Sequence, residues 1–236
     1  MKTILHKADT RGLAEHGWLT SRHTFSFGEY YAPERMGFGL LRVINDDAVQ
    51  PGMGFGTHPH ENMEIVSIPL TGELRHQDSM GNTQHITTGE VQIMSAGTGL
   101  THSEYNASNS EVVTFLQIWV LPKEPNIEPR YDQRLFPAAE RQGRFQVVVS
   151  PDRNDGGVWI NQDARFSLGD FDANEADSYS VVQPGNGVYI FIIEGSAIVA
   201  GEALKRRDGM GVEDAASIDI SALEDSQLLA IEVPMR

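Results

Sequence analysis

From about residue 38 onward the apolar residues come in short runs, broken by glycine roughly every ten positions, which is the rhythm of a β-sandwich or small barrel. In the first half the strongest strand candidates are Leu40-Leu41-Arg42-Val43-Ile44, Glu64 to Leu70, Val91 to Met94 and Val113 to Val120. In the second half they are Phe145 to Val149, Val188 to Ile193, Ala197 to Val199 and Leu228 to Val233. Little helix is expected; Pro137-Ala138-Ala139-Glu140-Arg141 reads as one short piece. Gly72 to Asp78 and Thr83 to Ile86, joined by the polar Ser79-Met80-Gly81-Asn82, read as a hairpin. Between the two groups of strands, Leu121 to Arg144 carries Pro122, Pro125, Pro129 and Pro137 among charged residues and reads as a linker. The chain is therefore expected to be all-β, with one domain over residues 1–135 and a second, similar one over 136–236. A weak repeat supports this. Leu70-Thr71-Gly72 resembles Ile193-Glu194-Gly195, 123 residues later, and Gly89-Glu90-Val91 resembles the stretch from Gly209, 120 residues later.

Two short spacings carry the chemistry, His58-Pro59-His60 and His102-Ser103-Glu104. Side chains on a strand alternate faces, so residues two apart share a face. Each spacing thus presents two metal-competent groups together, and His58, His60, His102 and Glu104 can converge on one cation. Carried along the repeat, the same positions in the second half are Val181, Gln183, Ala222 and Glu224, so the second domain keeps the scaffold and lacks the site. His76 and His85 are assigned to the hairpin rather than to the metal.

Composition narrows the choices. The chain has no cysteine, which excludes disulfides, thiolate zinc sites and thiol nucleophiles and leaves nitrogen and oxygen as ligands. A net charge of −15, from 33 acidic against 18 basic residues, argues against a nucleic-acid or anionic-membrane surface. The N-terminal Met1-Lys2-Thr3-Ile4-Leu5-His6-Lys7 lacks the apolar core of a secretory signal, and no stretch is apolar enough to span a bilayer, so a cytoplasmic protein is expected. A monomer is the expected state. Three imidazoles and a carboxylate suit Fe, Mn, Co, Ni, Cu or Zn, and the mixed His and carboxylate pattern places Fe(II) first.

The run Gly52-Met53-Gly54-Phe55-Gly56-Thr57-His58-Pro59-His60-Glu61-Asn62-Met63-Glu64, followed by the run from Gly89 to Asn106, resembles the two motifs of the cupin superfamily. More narrowly, His-Pro-His followed by Ser95-Ala96-Gly97-x-Gly99-x-x-His102-Ser103-Glu104 resembles the pirin family. His16-Gly17-Trp18-Leu19, His23 to Phe27 and Leu41 to Asp47 further resemble the quercetinase-type bacterial pirins. The resemblance implies two double-stranded β-helix (jelly-roll) cupin barrels in tandem with metal in the first alone, bound by His58, His60, His102 and Glu104. It also implies a dioxygenase that opens flavonols of the quercetin type with O2 and releases carbon monoxide, with Glu104 as the candidate general base. The family also contains metal-dependent regulatory proteins without turnover, which leaves a protein partner as the alternative. Two departures from the wider cupin pattern stand out: Ser95 replaces a common proline, and Glu64 occupies the usual glutamate position, in competition with Glu104. The closer pirin match favours Glu104. Phe55, Met63 and Met94 are candidate walls for a flat ligand, and Asn106 and Glu64 candidate supports for the histidines.

Overall fold

The computed structural model describes all residues from Met1 to Arg236. Four sheets form two barrels, and the only helical pieces are 3-10 turns at Ala8–Thr10 and Ala138–Glu140, the latter inside the segment expected to be helical. No helix is long and apolar enough to cross a membrane. In the first half a seven-stranded sheet runs in the order Arg130–Leu135, Glu90–Ser95, Glu64–Thr71, Val113–Val120, Leu41–Val49, Leu19–His23, Gly12–Glu15. A four-stranded sheet accompanies it, in the order Gly54–His60, Leu100–Asn106, Glu73–Asp78, Thr83–Thr87. The hairpin forms as expected, with Gln77 opposite Thr83.

The second half repeats the arrangement, and its seven-stranded sheet begins with a strand from the far end of the chain. Lys2–His6 pairs antiparallel with Gly209–Glu213, beside Asn186–Glu194 and Ser226–Pro234. The repeated Gly72 and Gly195 play one role: each follows the end of a strand, with φ of +75° and +78°, a conformation glycine adopts without steric penalty. The linker reading of Leu121 to Arg144 needs correction, since Arg130–Leu135 is an edge strand on Glu90–Ser95. An edge strand with a wet side needs no apolar alternation, and its charges and neighbouring prolines hid it.

The long apolar strands are explained by burial on both faces. Leu116, Ile118 and Val120, with Val66, Ile68, Val91 and Ile93, join Phe166, Tyr189, Phe191, Leu229 and Ile231 in a 25-residue core between the two large sheets. The alternate residues of the same strands point into the barrels, and here the halves differ. The second barrel is filled by a continuous cluster of 15 buried residues including Val188, Ile190, Ile192, Ile218 and Ile220. The interior of the first is split into an apolar plug of six residues around Leu74 and Phe115 and another of four around Ile65 and Met94. Between those plugs lies a belt of polar side chains.

Candidate metal centre

The belt follows from strand register. His23 pairs with Asn45, Asn45 with Gln117, Gln117 with Ser67 and Ser67 with Gln92, so one polar row crosses five strands of the large sheet. The small sheet faces it with the histidines. His102 stands opposite His58, and Leu100 opposite His60, on strands Leu100–Asn106 and Gly54–His60. The register then shifts between His102 and Glu104, a bulge of the kind that re-aims a side chain beside a site. Gly54 allows the close approach, because a Cβ there would collide with the Glu104 carbonyl and lie 2.5 Å from the Tyr105 Cα.

The rings of His58, His60 and His102 lie 4.5 to 4.9 Å apart centre to centre, and their ligand nitrogens all fall within 4.8 Å of one another. The His58 and His102 Nε2 atoms are 3.0 Å apart. His58 Nδ1 lies 2.8 Å from the Gly56 carbonyl, to which it donates its proton, so Nε2 carries a lone pair. Burial, with the neighbouring imidazoles, lowers His60 to about 4 and His102 to about 2. At that distance one Nε2–H can donate to the other Nε2, and a cation would take the place of the shared proton, so three imidazole nitrogens turned to one point fit a metal ion. The donor set, all imidazole nitrogen and carboxylate oxygen, suits a divalent transition metal.

Glu104 is buried and its carboxyl is held on both sides. Gln117 Nε2 donates to Oε2 at 2.8 Å, and Ser67 Oγ, which also donates to Gln117 Oε1 at 2.7 Å, lies 3.3 Å from Oε1. Burial raises this carboxyl to about 7. One of its oxygens lies within 4.8 Å of a ring nitrogen of His102 and of one of His76. His76 sits in the hairpin as expected, yet it is buried beside the candidate ligands: its Nε2 lies 3.3 Å from Asp78 Oδ2, and its ring centre lies 5.3 Å from that of His102. The two-residue signal that marked the other pairs is present in His76-Gln77-Asp78 as well.

Glu64, the rival carboxylate, faces the other way. It sits on the interdomain side of its strand with Val66 and Ile68, where Ser95 Oγ donates to it at 2.8 Å and the Asn161 backbone N–H at 3.1 Å. Ser95, at the position of a common cupin proline, is what holds it there. Neither Glu64 nor Asn106 supports the histidines as expected: Asn106 donates to the carbonyls of Val49 and Glu111 and ties down a loop.

A cavity of about 890 Å³ is lined by His58, His60, Glu104 and Gln117. Of the expected wall residues only Phe55 lines it; Met63 and Met94 pack in the plug around Ile65. The other aromatic walls are Trp18, Phe27, Tyr30 and Trp119, with Trp18 edge-on to Phe55 at 5.1 Å and Phe27 edge-on to Trp119 at 5.2 Å. Trp18, Phe27 and Tyr30 come from the N-terminal segment, whose aromatic density is the signal that could have found them.

A family model described as Pirin matches residues 6–120, and one described as a quercetinase C-terminal cupin domain matches residues 147–233. The protein named quercetin 2,3-dioxygenase in Escherichia coli (strain K12) is 46% identical over 233 residues, 98% of each chain. A pirin-like protein of Caulobacter vibrioides is 40% identical over 95% of this chain and 96% of its own. The crystal structure of the Escherichia coli bacterial pirin YhhW in complex with nickel(II) superposes with a TM-score of 0.93 at 44% identity, covering 99% of both chains.

Proposed function

The chain belongs to the pirin family, and from that premise we propose that it is a metal-dependent dioxygenase that opens the heterocycle of quercetin-like flavonols with O2 and releases carbon monoxide. The observation that carries this reading is an aromatic-walled cavity large enough for a flat polycyclic ligand, lined by His58, His60 and Glu104, with His102 clustered with both histidines and with Glu104. His58, His60, His102 and Glu104 would hold a divalent ion, and Fe(II) is our choice. When bound, the ion supplies Lewis acidity toward a substrate hydroxyl and a redox partner for O2.

The protein's own residues do the rest. Glu104 takes the proton that leaves the flavonol hydroxyl, its carboxyl aimed by Gln117 and Ser67. Trp18, Phe55, Phe27 and Trp119 orient the planar substrate and keep water from the reacting carbons. The division of labour we read is a catalytic unit over 1–135 and a supporting one over 136–236, to which the first strand is lent.

The test is oxygen uptake with quercetin by protein reconstituted with Fe(II), and in parallel with Ni(II), Mn(II), Co(II), Cu(II) and Zn(II). Carbon monoxide release is followed in each, and Glu104→Gln is compared at matched metal content. Uptake that fails in Glu104→Gln at full occupancy supports the reading. No uptake with any metal removes it and leaves a regulatory pirin.

A further inference from the structure

Part of the polar belt is left unused by the chemistry above. Gln117 and Ser67 are engaged with Glu104, but three other buried side chains lining the cavity have a polar atom with no partner: His23 Nδ1, Asn45 Oδ1 and Asp47 Oδ1. They form one patch. Asn45 and Asp47 are two apart on Leu41–Val49 and share its inward face, and His23 is the cross-strand neighbour of Asn45. Buried polar groups in folded proteins almost always find hydrogen bonds. Three that do not, side by side on the wall of one cavity, mark a place for a ligand that brings its own donors and acceptors.

The chemistry of that ligand can be narrowed. The patch lies beside the aromatic wall, with the His23 ring 5.3 Å from that of Phe27, so the groups it meets are borne on a flat ring. Asp47 pairs with no cation, and Asp46 and Glu104 both oppose its charge, so anionic substituents are disfavoured. Burial holds its carboxyl up at about 7, where the neutral form offers a proton as well as an acceptor. Phenolic hydroxyls, which donate and accept, complement a carboxyl, an amide oxygen and an imidazole.

We propose that His23, Asn45 and Asp47 form a hydroxyl-recognition subsite that binds phenolic hydroxyls of a flavonol held in the cavity, other than the 3-hydroxyl. In naming the ligand this rests on the flavonol reading above; the unpartnered patch does not. A site built to hydrogen-bond a hydroxyl discriminates strongly against an analogue that lacks it, because its own groups are then left unpaired. The subsite therefore makes the protein prefer quercetin over 3-hydroxyflavone, which keeps the 3-hydroxyl and the 4-carbonyl and has no other hydroxyl.

The experiment measures both ligands in two ways: anaerobic binding to Ni(II)-loaded protein by fluorescence quenching, and aerobic turnover by the Fe(II) form. Wild type is expected to favour quercetin by about tenfold or more, the ratio shrinking to about twofold in Asp47→Leu and Asn45→Leu. Asp47→Asn, which keeps the shape and hydrogen-bonding capacity, retains an intermediate ratio and guards against a folding defect in the leucine variants. Equal affinity of wild type for the two ligands, or a preference that survives in every variant, means that the patch holds only water and overturns the subsite. Turnover without discrimination removes the subsite and leaves the dioxygenase. Discrimination without turnover does the reverse. Binding of neither flavonol overturns both.

Discussion

Replacing His6 with phenylalanine tests how the first strand is locked onto the second barrel. The His6 ring is buried against Phe25 and Tyr189, and its Nδ1 lies 2.8 Å from the Tyr189 hydroxyl. Burial, with a smaller contribution from Arg35, lowers this histidine from 6.5 to about 4. The unfolded chain therefore takes up a proton on His6 before the folded one does. The stability this residue contributes is complete above about pH 6.5 and is lost as pH falls through about 4, a change of about 3 kcal/mol at 1.4 kcal/mol per pH unit. His6→Phe abolishes that loss but leaves the buried Tyr189 hydroxyl unpartnered, a penalty of about 1–3 kcal/mol at all pH values in this range. Near pH 7.5 the variant is thus the less stable protein, and near pH 4 the two converge or cross. Denaturant unfolding of both proteins across that interval gives the difference directly, and His60 and His102, present in both, cancel. If the two stability curves run parallel in pH, the reasoning is wrong.

Three further outcomes are expected. Gln117→Leu removes the 2.8 Å bond to Glu104 and lowers metal affinity by about 10–100-fold, measured by competition with a chelator, while the protein stays folded. Gly54→Ala drives a Cβ into the Glu104 carbonyl and the Tyr105 backbone, so metal content drops further than thermal stability does; metal analysis beside a melting curve checks it. Ile190→Ala opens a cavity in the filled second barrel and lowers stability by about 2–5 kcal/mol without altering metal affinity, because Ile190 packs in the 15-residue apolar cluster of that barrel, away from the histidines of the first.

The all-β class was legible in the chain, and so was the pairing of the candidate ligands. Short apolar runs punctuated by glycine can form little else, and a two-residue spacing on a strand places His58 with His60, and His102 with Glu104, on shared faces through local geometry alone. The matching turns at Gly72 and Gly195 were legible for the same reason, since a left-handed backbone after a strand selects glycine. What the chain could not reveal depends on which strands become neighbours. Register across the large sheet puts His23, Asn45, Gln117, Ser67 and Gln92 in one row, though they come from strands spread over more than ninety residues, and no local rule links them. The same holds for the two glutamates. Glu64 and Glu104 are equivalent as ligand types, and only the side of the sheet decides: Glu64 turns outward to Ser95 and Asn161, while Glu104 turns inward to Gln117 and the histidines. The cavity walls arise where the N-terminal segment folds over the barrel mouth, and the first strand pairs with one some two hundred residues away. Composition and alternation act over neighbouring residues, whereas pairing, facing and closure are properties of the assembled sheets.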